Sequence, residues 1–141
     1  MRGVWSEVGK LEKVLVHRPG SEIDRLTPSN REELLFDDIL WLEKAHEDHD
    51  TFSATLASQG AQVVYLQDLL AETLDLAPGR TWLLEQTIDD RHFGVALSAP
   101  LREYLAAQES RMLAQILISG LTRAEIEDEL GEVASAVLAR V

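Results

Sequence analysis

Cysteine is absent from this 141-residue sequence. That excludes disulfides, thiolate metal sites, iron–sulfur clusters and a nucleophilic cysteine within the chain. Cations are scarce: 13 Lys and Arg stand against 25 Asp and Glu, a net charge of −12. Such a field repels phosphate backbones and anionic headgroups, so neither nucleic acid nor a membrane is expected as a partner. No run of about 18 apolar residues occurs, and Met1–Ser6 lacks the apolar core of a signal peptide, so a cytoplasmic location is expected. The eight glycines are dispersed and form no phosphate loop, which leaves nucleotide binding without support. Aromatic residues make up only 6% of the chain, and Trp5, Trp41 and Trp82 stand apart from one another. They read as packing or interface residues.

What remains, 45% hydrophobic and 27% charged residues, is enough for one domain with a core of its own. Lys13-Val14-Leu15-Val16-His17 is β-branched, apolar and stopped by Pro19-Gly20, which predicts a buried strand. Ser21–Asn30 reads as loop, with Asn30 able to cap a short helical turn over Arg31–Leu35. From Ile39 to Gln59, Leu42, Ala45, Phe52 and Leu56 recur at helical spacing, with Asp37 and Asp38 at the N-terminal end and Gly60 beyond the C-terminal one. Gln62–Leu66 is a second strand, and strand, long helix, strand favours a parallel pair. Two such short strands make a poor sheet alone, and their open edges call for further strands.

After Asp68 the pattern is helical only. Helices are expected at 69–74, 81–90, 100–107, 110–118, 123–130 and 132–140. Pro100 suits a first helical residue, Gly120 a left-handed helix end, and Thr122 with Glu125 a capping box. The expected class is α/β, with residues 1–76 and 77–141 as its two parts.

The densest polar cluster is His46-Glu47-Asp48-His49-Asp50. His46 and Asp50 share a helix face that can approach a metal, but neither thiolates nor an HExxH order accompany them. His49 falls in the apolar seam and reads as a core histidine. His17 and His92 have no triad partner in sequence and read as structural and surface residues. Asp37 and Asp38 are a carboxylate pair suited to acid–base work, yet their place favours helix capping.

Four stretches occur in close succession: Ser6-Glu7-Val8-Gly9-Lys10-Leu11, Val14-Leu15-Val16-His17-Arg18-Pro19-Gly20, Leu26-Thr27-Pro28-Ser29-Asn30 and Glu33-Leu34-Leu35-Phe36-Asp37-Asp38. Together they resemble the opening of arginine deiminase. The likeness continues through His49-Asp50-x-Phe52 and Tyr65-Leu66-x-Asp68-Leu69-Leu70-Ala71-Glu72, and Ile116–Leu121 fits that family's helical insertion.

The resemblance implies hydrolysis of L-arginine to L-citrulline and ammonia in arginine catabolism, without a cofactor. It also implies a five-bladed α/β propeller with a helical domain inserted after the first repeat. The family uses a cysteine that attacks the guanidinium carbon, a histidine and a glutamate that assist proton transfer, and aspartates that hold the guanidinium, all later in its sequence than this chain extends. No catalytic residue and no metal ligand is therefore expected here, and the chain alone should be inactive. Leu35 matches a position that the family places against the arginine side chain, and it reads equally as a core leucine. The implied partners are L-arginine and a complementing chain or a second copy. The alternative is a non-catalytic helical interaction module derived from the family.

Overall fold

A computed structural model of the chain describes residue 3 and residues 6–131. Its elements are β1 (Lys13–Val16), α1 (Ser21–Asp24), α2 (Leu42–Ser58), β2 (Gln62–Tyr65), α3 (Leu66–Asp75), α4 (Ala77–Thr87), α5 (Asp90–Phe93), α6 (Val95–Ala106), α7 (Ser110–Ser119) and α8 (Arg123–Leu130). Both expected strands form, and they pair in parallel with Leu15 beside Val64 and Val16 beside Tyr65. Helices nonetheless dominate the described residues, and the α/β pattern is confined to β1–α2–β2. Among these residues no helix is long and apolar enough to cross a membrane.

The hydrophobic core lies in the helical part. Leu74 of α3, Leu84 of α4, Leu97, Leu101 and Leu105 of α6, and Leu113 and Ala114 of α7 are all buried together. The four-residue spacing of the α6 leucines explains a departure from expectation. Pro100 does not begin that helix but sits inside it, because α6 starts at Val95 after Gly94. An interior proline costs about 3 kcal/mol. Extending the helix upstream places Leu97 on the same buried face as Leu101, and sealing that leucine row offsets the cost. Likewise α4 starts at Ala77, not Thr81, with Pro78 in its first turn, where a missing N–H is harmless.

Other helix ends follow local chemistry. Gly60 and Gly120 adopt the positive φ angles expected of residues that end α2 and α7, at 86° and 75°. The Thr122–Glu125 capping box at the start of α8 is present in both directions. The helix expected over 132–140 and Trp5 lie outside the described residues.

Helix α2 departs at its start and on its face. It begins at Leu42 with Trp41 as its cap residue, so Asp37 and Asp38 lie in the preceding loop instead of at the helix terminus. There Arg31 Nη1 donates to the Asp37 carbonyl at 3.1 Å, and Asp38 Oδ1 accepts from the Ile39 N–H at 2.8 Å, which ties these residues into the loop. Phe52 was expected in the buried seam but is 55% exposed, and Ser53 is buried instead. Leu42–Ala45–His49–Phe52–Leu56 and Leu42–His46–His49–Ser53–Leu56 both satisfy helical spacing. Ser53 of the second set is the buried residue, and His46 of the same set faces polar backbone, described next.

Candidate functional site

Strand β1 runs into His17-Arg18-Pro19-Gly20, a segment past the paired residues of the sheet, whose carbonyls lack ladder partners among the described residues. Side chains from α2 and α3 satisfy it. His46 Nε2 lies 2.8 Å from the Pro19 carbonyl, and Gln67 Nε2 donates to the Arg18 carbonyl at 2.7 Å. Arg18 makes a two-pronged pair with Asp50 at 2.8 and 2.9 Å, and its hydrogen bonds hold the Asp50 carboxyl below the usual range. The shared face of His46 and Asp50 is thus spent on fastening Arg18-Pro19. Among the described residues no three His, Asp or Glu side chains converge as metal ligands.

His49 is largely enclosed, as expected of a seam residue, with its ring centroid 6.1 Å from that of Tyr65. His17 Nε2 meets Glu22 Oε1 at 2.7 Å, and the same oxygen accepts the Gly20 N–H at 2.7 Å. Burial pushes the Glu22 carboxyl up. The backbone N–H groups of Glu22 and Gly20 and the His17 ring outweigh that push and hold it below the usual range. An open cleft of about 280 Å³ lies over this segment, with His17, Glu22, His46, Gln67, Gln115 and Ser119 among its walls. His92 is an exposed residue that bonds Asp89 at 2.7 Å across the start of α5.

Beyond α1 the chain forms the turn that carries Leu35. Buried Leu26 anchors its start. Asn30 does not cap a helix: its Oδ1 accepts from the Thr27 N–H at 2.7 Å, and its Nδ2 donates to the Arg25 carbonyl at 2.9 Å. The Leu35 N–H donates to the Glu32 carbonyl at 3.1 Å and the Phe36 N–H to the Arg31 carbonyl at 2.8 Å. This pair of bonds is the Schellman closure, in which the residue between turn and exit adopts a left-handed conformation normally given to glycine. Here that residue is Leu35, with φ 62° and a side chain 92% exposed. The alternative of a core leucine is therefore incorrect within the described residues. A β-carbon in this conformation costs roughly 1–2 kcal/mol, and such strain concentrates at functional positions.

The arginine deiminase family profile matches residues 32–140. This chain belongs to that family. The match begins inside the Leu35 turn and runs through the helical part. Sequence reasoning about the arginine deiminase motifs singled out Leu35 but missed the Arg18–Asp50 pair and the His46 bond to Pro19. Their partners are 32 and 27 residues apart, beyond the reach of helix or turn periodicity.

Proposed function

We propose that this chain is the N-terminal part of an arginine deiminase, the hydrolase that converts L-arginine to L-citrulline and ammonia in the cytoplasm. On this reading β1, α2 and β2, within residues 1–76, are part of the first repeat of an α/β propeller. Residues 77–141 are its helical insertion. Leu35 lies against the aliphatic stem of the substrate. The observation that carries this reading is the Leu35 turn itself: an apolar side chain is held outward at a strained position, with no packing partner among the described residues to account for it. A guanidinium substrate brings a three-carbon apolar stem that such a residue can cover, and covering it removes apolar surface from water.

The chemistry belongs to other polypeptide. The chain holds no cysteine, so the thiolate that attacks the guanidinium carbon is supplied by further sequence or by a complementing chain. Its own residues shape and exclude; they do not move the leaving ammonia.

The test is citrulline release. The purified chain forms none from L-arginine, and activity appears when a cysteine-bearing polypeptide carrying the remaining propeller strands is added. Citrulline formed by the chain alone, in proportion to its concentration and insensitive to thiol alkylation, would overturn the reading.

A further inference from the structure

One side chain joins the Leu35 turn to the helical bundle. Arg25, just after α1, donates through Nη1 to the Ser119 carbonyl at 2.8 Å, at the end of α7, where a helix leaves carbonyls without internal donors. Its Nη2 donates to both carboxylate oxygens of Glu125 at 3.1 Å. The contacts bridge 94 and 100 residues of sequence. Glu125 is itself fixed, since its carboxylate accepts the Thr122 N–H in the capping box of α8.

The other end of Arg25 leads to Leu35. The Arg25 carbonyl accepts from Asn30 Nδ2, and the Asn30 carbonyl accepts from the Leu34 N–H at 3.0 Å. Thr27, held by Asn30 Oδ1, accepts the Arg31 N–H, and the Arg31 carbonyl closes the turn on Phe36. Hydrogen bonds and the short covalent segments between them therefore link the α7–α8 corner to Leu34 and Phe36, the residues on either side of the strained leucine.

We infer that Arg25 and Glu125 are positioning residues: through them the helical unit sets the geometry of the Leu35 turn. The inference rests on the arginine-facing reading of Leu35 for its consequence in the enzyme, while the coupling itself is a property of this chain. A planar guanidinium suits the task because it reaches a carbonyl and a carboxylate at once in a fixed fork, which an ammonium cannot.

Residue-resolved amide hydrogen exchange on the full chain tests it, using Arg25→Lys and Glu125→Gln. Glutamine still completes a capping box, so E125Q weakens the hold on Arg25 while leaving α8 capped. Exchange of the Arg31, Leu34, Leu35 and Phe36 amides is expected to rise about five- to tenfold in each variant. The double variant is expected to be no faster than the faster single one, because both substitutions cut one link. The Glu125 and Ile126 amides of α8 and the Leu84 and Leu113 amides of the core keep their wild-type rates. Turn amides that exchange at the wild-type rate in both variants would overturn the inference. So would acceleration spread equally through α8 and the core, which marks general loosening. Failure of Leu35→Ala to weaken arginine hydrolysis in the complemented enzyme would instead remove the substrate reading and leave the exchange result standing.

Discussion

Leu35 is the residue where conformational cost is most plainly visible. Its backbone sits in a left-handed well at the closing position of a Schellman turn, and its side chain contributes almost nothing to the core. Leu35→Gly is therefore expected to raise stability by roughly 0.5–1 kcal/mol, because glycine adopts this conformation without penalty. Urea unfolding followed by circular dichroism measures it. If Leu35 covers the arginine stem as proposed, the same substitution removes that apolar contact, and a complemented enzyme carrying it should show a higher KM for arginine. A destabilised glycine variant would mean that the leucine packs somewhere after all. The opposite logic governs His46 and Asp50. Their four-residue spacing suggests a metal face, yet each is occupied by the Arg18-Pro19 segment, a use visible only once β1 and α2 are brought together.

At the scale of elements, the corner between α3 and α4 shows how a helix glycine can be required by its neighbour. A β-carbon on Gly79 would lie 2.6 Å from the Thr73 carbonyl oxygen, a backbone atom with little freedom to move. That carbonyl already accepts the Leu76 N–H at 3.2 Å. Next to it, Arg80 Nε donates to the Leu74 carbonyl at 2.9 Å, and its Nη1 reaches the Ala106 and Gln108 carbonyls at 2.9 and 2.6 Å. One cation thus satisfies the carbonyl ends of α3 and α6, which locks the corner in place. Replacing a helix glycine by alanine ordinarily stabilises by up to about 1 kcal/mol. Here Gly79→Ala is expected to destabilise by about 1–3 kcal/mol through overpacking, seen as a lower urea midpoint at unchanged slope. An alanine variant at least as stable as the wild type would show that the corner can open.

Across the whole molecule, the α/β part and the helical part differ in how completely they are enclosed. The helical part has a contiguous core. The sheet has helix α2 on one face, where His49 meets Tyr65. Its other face carries Leu15 beside Val64, and Leu15 is 55% exposed. Parallel sheets are normally buried on both sides, so a two-stranded parallel pair with one face half open is an arrangement that further strands or another layer would complete. Leu15→Thr should accordingly lower binding of the dye ANS and reduce self-association in sedimentation velocity. Stability should change by less than about 0.5 kcal/mol, as at surface positions generally. A large stability loss would place Leu15 in the chain's own core.

Sequence alone determined what short-range physics controls: the two strands, the glycine-ended helices α2 and α7, the capping box of α8, the lack of cysteine and the ordered motifs of the arginine deiminase family. Each depends on residues a few positions apart or on composition, and survives whatever the rest of the chain does. Tertiary structure alone decided that α2 buries Ser53 instead of Phe52, that α6 runs through Pro100 to bury Leu97, and that Leu35 points outward. It also decided that Arg25 spans the molecule to Ser119 and Glu125. Those outcomes turn on which surfaces meet, and two spacings equally good on one helix become unequal only when a neighbour offers a leucine row or an unsatisfied carbonyl.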